Sequence, residues 1–142
     1  MIISSLLSSS GLTVARLEPQ EHDDQMAYIQ ALTHFVLLLF VGMISESNFK
    51  FKDLMKLKTP PFQFLSAFSA RLLMGNPSTY AAIQGSASSA RLRSDFLAYA
   101  SKLNKSINDG GQEATEAAIN EIRSPFSGAS LDEFSQFSFM AD

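Results

Sequence analysis

Glu18-Pro19-Gln20-Glu21-His22-Asp23-Asp24-Gln25-Met26, continued by Ile29-Gln30-Ala31-Leu32-Thr33-His34-Phe35, decides the fold of this chain. Pro19 suits the first turn of a helix, where its missing N–H costs nothing, and Glu21 sets a carboxylate at the positive end of the dipole. Nothing breaks the pattern until Gly42 or Ser47, so the spacing predicts a helix of ~25 residues, roughly 38 Å long. Its second half, Phe35 to Ile44, is apolar on every side, which predicts a central helix buried all round. That run is only ten residues long. A helix crossing a bilayer needs about 20 apolar residues, so no membrane association is expected. A helix this long in a small domain is expected to find a partner chain.

Around it the chain reads as further helices. Asn48 to Lys58 predicts a short one, with Phe49, Phe51, Leu54 and Leu57 turned inward. Thr59-Pro60-Pro61 opens the next, where Phe62, Leu65, Phe68 (or Ser69) and Leu72 recur at helical spacing. Asn76 caps and Pro77 starts another through Ile83, which Gly85 and the following serines bend rather than end. Leu92, Phe96, Leu103 and Ile107 mark an amphipathic helix from Ala90 to Ile107, closed by Asn108-Asp109-Gly110-Gly111. Gln112 to Ser124 forms the last. Before the long helix, residues 2–10 predict a short amphipathic turn. Leu12-Thr13-Val14-Ala15-Arg16-Leu17 reads as a strand, which needs either a second copy or the rest of a sheet to pair with. The fold class is all-α with a strand-like prefix.

The bulk numbers narrow the function. The chain has 142 residues, is 46% hydrophobic and 18% charged, and so has room for one folded domain. It has no cysteine, which removes thiol chemistry and disulfides and fits a reducing compartment. The N-terminus has no basic residue ahead of its apolar part, unlike a secretory signal, and a cytoplasmic location is expected. A net charge of -3 gives no electrostatic reason to bind nucleic acid.

Few residues carry chemistry. His22 and His34 are the only histidines. Twelve residues apart on a helix they stand ~18 Å and ~120° from each other, so they share no metal ion. His22 reads as a solvated helix start, and His34 as a core histidine satisfied by one hydrogen bond. Arg71 lies between Phe68-Ser69-Ala70 and Leu72-Leu73-Met74, where burial would require an anionic partner. That partner is either an acid of the first helix or the carboxylate of a ligand. Arg91 and Arg93 read as a solvated face. Adjacent on a helix, Asp23 and Asp24 point ~100° apart and form no acid/base pair. The glycines show no G-x-G-x-x-G, and no G-x-S-x-G elbow accompanies the serines, so no catalytic residue is assigned.

Three motifs in order give the chain a resemblance. They are Glu21-His22-Asp23 with the helix through Gln30-Ala31-Leu32-Thr33-His34-Phe35, then Thr59-Pro60-Pro61-Phe62 with Ala70-Arg71-Leu72, then Asn76-Pro77 with Tyr80-Ala81-Ala82-Ile83. Over residues 12–124 the chain resembles the C-terminal helical half of prephenate dehydrogenases. The resemblance implies three segments: 1–17 as the end of a nucleotide-binding domain, including a remnant of its Rossmann sheet; 18–124 as a helical dimerisation and substrate domain; and 125–142 as a tail carrying Phe126, Phe134, Phe137 and Phe139.

It further implies a homodimer through the long apolar helix, with prephenate or arogenate, and tyrosine, as ligands. Arg71 matches an arginine that grips a substrate carboxylate, His34 a histidine near the pocket, and His22 with Asp23 a position facing the cleft between domains. NAD or NADP belongs to the complete enzyme, which converts prephenate to 4-hydroxyphenylpyruvate by oxidative decarboxylation. The cofactor site, like the catalytic histidine, lies in a preceding half that this chain is expected to lack, so the chain alone should transfer no hydride. Gln63 stands where some members carry a basic residue, and Ala90 where an asparagine is frequent. These departures point to weakened or altered substrate binding. They leave a second reading, a non-enzymatic helical interaction module that kept the fold and lost the chemistry.

Overall fold

Pro19 does open a helix. In a computed structural model describing residues 7, 9–11, 14–126, 128, 130–132 and 135, helix α1 runs Pro19–Glu46, 28 residues, with a π-helical segment at Ala27–Leu32. A four-residue helix α2 (Phe51–Leu54) passes into a 3-10 turn at Met55–Leu57. Helices α3 (Pro60–Met74) and α4 (Pro77–Gln84) follow, and then α5 (Ala87–Arg123), broken at Gly111. The chain divides into two units, Met1–Ser94 and Asp95–Asp142.

The first unit is built on the seam between α1 and α3. Ser69 is 1% exposed and its Oγ donates to the Leu37 carbonyl at 3.3 Å. Leu37 and Leu72 are buried with it, so the alternative at 68 or 69 resolves to Ser69, while Phe68 stays exposed. A small residue there lets the two backbones come close. Further along, Phe40 meets Phe62 edge-on, with ring centroids 5.6 Å apart.

Helix α4 is capped by Asn76, whose Oδ1 accepts from the Ser78 N–H at 3.0 Å. It ends at Gln84 rather than bending through Gly85. The serines explain the corner: Ser89 Oγ donates to the Ile83 carbonyl, and Ser86 Oγ accepts from the Ser89 N–H and starts α5.

The second unit is the remainder of α5, folded back at Gly111. Residues Tyr99 to Ser106 face Ala118 to Pro125 across a small groove. Gly111 has φ 59° and ψ -141°, a conformation open essentially to glycine. A Cβ on Gly110 would collide with that of Ala114. The Asp109-Gly110-Gly111 signal therefore marks a true reversal.

Three expectations need correction. Val14 to Leu17 form no strand, and among the described residues there is no second strand to satisfy their backbone groups; residues 12 and 13 lie outside the described set, as does most of 2–10. Phe49, Phe51 and Leu57 do not turn inward: Leu57 is 86% exposed, because only a short helical stretch forms there. Above all, α1 is not buried all round. Of its residues only Ala27, Ala31 and Leu37 are buried, whereas Ile29 and Met43 are 63% and 69% exposed. The whole helix is also longer than the apolar run suggests. It has an 18-residue window of mean hydropathy 1.9, long and apolar enough by composition to cross a membrane.

Two substitutions test this fold. Ser69→Leu forces a larger side chain into the α1–α3 seam and should lower unfolding free energy by about 1–3 kcal/mol in urea titrations. Gly111→Ala should cost a similar ~1–3 kcal/mol by straining the reversal, read as a lower melting temperature by circular dichroism.

Candidate functional site

The apolar seam widens toward the C-terminal end of α3 into an open cavity of about 750 Å³. This lies within the ~300–1,000 Å³ usual for small-molecule sites. Helix α1 lines it with Leu32, Thr33, His34, Val36 and Leu37, helix α3 with Leu65, Phe68, Arg71 and Leu72, and α4 with Tyr80. The cavity thus brings together His34 and Arg71, residues 37 positions apart in sequence. It does not include His22, which sits in the first turn of α1 with Nδ1 3.2 Å from Asp23 Oδ1, both side chains exposed.

His34 differs from its sequence reading. Its Nδ1 is buried and has no hydrogen-bond partner among the described residues. Instead of a core hydrogen bond, the imidazole meets the Tyr80 ring edge-on, centroids 4.9 Å apart. A buried polar atom without a partner is costly.

Arg71 is exposed and forms no ion pair among the described residues, so the internal salt bridge with an acid of α1 is not made. It lies in the last turn of α3, where Ala70, Leu73 and Met74 are also exposed and only Ser69 and Leu72 point inward. Its guanidinium is the one fixed charge among the residues lining the cavity. An apolar wall with aromatic faces from Phe68 and Tyr80, one guanidinium and one unmet imidazole nitrogen suits an aromatic or cyclic carboxylate. Gln63 and Ala90, the two departures noted above, are exposed and line no part of this cavity.

Sequence reasoning gave no role to Tyr80, although it stands in the Asn76-Pro77 motif. Its position depends on Gly75, because a Cβ there would come within 2.5 Å of the Tyr80 hydroxyl. It also missed Asp24 and Arg93. Asp24 Oδ1 accepts from Ser88 Oγ at 2.8 Å and from Gln20 Nε2 at 3.1 Å, with Arg91 Nη2 at 3.5 Å, fastening the start of α5 to α1. Arg93 is part-buried and bonds Gln84, so it does not belong to a solvated face.

Comparisons with known proteins address the family of the chain. A family model described as "Prephenate dehydrogenase, dimerization domain" matches residues 18–121. The chain is 29% identical over 82 residues to a Methanocaldococcus jannaschii protein named "Probable arogenate/prephenate dehydrogenase", a match covering 58% of this chain and 18% of that protein. It is 28% identical over 117 residues to the "T-protein" of Enterobacter agglomerans, covering 82% of this chain and 31% of that one. The matched stretch spans less than a third of either curated relative. No solved structure matches.

Gly75→Ala should push the Tyr80 ring off His34 while leaving the helices in place. The expected outcome is loss of the nuclear Overhauser contacts between the two rings, with helical circular dichroism unchanged.

Proposed function

Because this chain belongs to the prephenate dehydrogenase dimerization-domain family, we propose that it is the dimerisation and substrate-binding part of a prephenate dehydrogenase of tyrosine biosynthesis. Residues 18–124 form the working body, and residues 125–142 a tail. The observation that carries the reading is the meeting of Arg71, His34 and Tyr80 in one apolar cavity.

In this reading Arg71 holds a carboxylate of prephenate or arogenate by two parallel charge-assisted hydrogen bonds, fixing the ring against Phe68 and Tyr80. His34 offers its free nitrogen to a polar group of the same ligand, and tyrosine, with a like ring and carboxylate, competes for the site. His22, outside the cavity, faces the approach from a neighbouring domain.

Among the described residues no strand leads into a glycine-rich loop, and the glycines stand singly or as the 110–111 pair. In this reading NAD or NADP would be held by another part of the complete enzyme and would supply hydride acceptance for the oxidative decarboxylation. The steps assigned to this chain are binding and orientation.

The exposed apolar residues of α1 supply the dimer interface. Complete burial of such a side chain contributes about 1.5–3 kcal/mol, and covering the 63% and 69% of Ile29 and Met43 still exposed contributes a part of that when a second copy in the cytoplasm meets them.

Isothermal titration of the purified chain with prephenate, arogenate and tyrosine tests the site. At least one should bind, and Arg71→Ala should weaken that binding about tenfold or more, since a hydrogen bond to a charged group contributes ~1.5–3 kcal/mol. Absence of binding by all three to a folded chain would contradict the substrate role and favour the non-enzymatic interaction module.

A further inference from the structure

The π-helical segment Ala27–Leu32 sits immediately before His34. An α-helix turns about 100° per residue, and a π turn takes in one extra residue, so everything after it is rotated by roughly that angle. Whether the turn forms therefore decides which face of α1 carries His34. The ~120° rotation between His22 and His34, deduced for an unbroken α-helix, does not survive the turn.

A π turn also leaves backbone carbonyls able to accept from outside the helix. The Ala31 carbonyl, in the most buried apolar residue of the segment, accepts from Gln84 Nε2 at 2.7 Å. Gln84 is itself held. Arg93 Nη1 donates to its backbone carbonyl and, at 3.1 Å, to its side-chain Oε1. With Oε1 occupied by a cation, the amide has one orientation, the N–H₂ toward Ala31. The chain Arg93–Gln84–Ala31 thus links the end of α4 and the first turns of α5 to the irregular turn of α1.

We propose that Gln84 is a positioning residue for the cavity: its amide, oriented by Arg93, holds the π turn at Ala31 and so sets the face on which His34 enters the site. The geometric statement stands on these contacts alone. Its functional meaning rests on the reading of the cavity as a ligand site.

Two histidines make the test direct. In ¹H–¹³C spectra of the full chain, the His34 ring cross-peak reports its placement and the His22 cross-peak serves as an internal control. Gln84→Glu keeps the size and the acceptor for Arg93 but removes the donor. It should move the His34 cross-peak, leave that of His22 in place and preserve the helical circular dichroism. Ser88→Ala, which breaks the neighbouring contact to Asp24, should move neither.

With tyrosine as the probe, Gln84→Glu should weaken Kd about tenfold, equivalent to about 1.4 kcal/mol. An unmoved His34 cross-peak in folded Gln84→Glu would overturn the proposal. Should that variant fail to fold, Arg93→Met, which removes the Nη1 donor that orients the amide, must move the same cross-peak, and its failure to do so would overturn the proposal equally. If none of prephenate, arogenate and tyrosine binds the unmodified chain, the ligand reading fails while the cross-peaks still judge Gln84.

Discussion

The close approach of α1 and α3 at Ser69 is the constraint on which the first unit depends. A hydroxymethyl group 1% exposed, bonded to the Leu37 carbonyl, holds two helices at short distance along one part of their length. Where the small residue gives way to Phe68 and Arg71, the helices leave a space between them, and α4 supplies its third wall through Tyr80. The cavity is therefore a consequence of packing: one tight point and one loose one on the same pair of helices.

The same economy of packing leaves α1 half uncovered. Only five apolar residues among those described are buried, and three of them, Ala27, Ala31 and Leu37, lie on α1. Such a helix is stable in water only if another surface meets its apolar flank. Since the chain belongs to a dimerization-domain family, the proposed cover is a second copy, although by composition alone the helix would also suit a bilayer. The first turns of the helix are polar and held to α5: Asp24 is bonded to Ser88 and Gln20 and paired with Arg91.

Much of the helical order was legible in the residues because local signals set it. Pro19, Pro60 and Pro77 stand in the first turns of three helices, Asn76 caps as its type suggests, and the paired glycines at 110–111 reverse the chain. What was not legible depended on tertiary contacts. The π turn has no mark in the sequence, so the rotation of His34 could not be deduced, and neither could its unmet nitrogen. Arg71 looked buried because its neighbours in sequence are apolar, yet three of them face outward at the helix end. The segment 14–17 looked like a strand because its residues favour one, but propensity needs a pairing partner to act on. At the site, the pairing of Arg71 with His34 came from resemblance to a family, whereas Tyr80, Gln84 and Arg93 emerged only from the fold.

The central claim is that the uncovered flank of α1 is an interface between two copies of this chain. Light scattering of the purified protein in detergent-free buffer, over a wide concentration range, tests it most directly. The account predicts twice the chain mass of 15.5 kDa, persisting on dilution. A soluble species that stays at the single-chain mass at every concentration would contradict it.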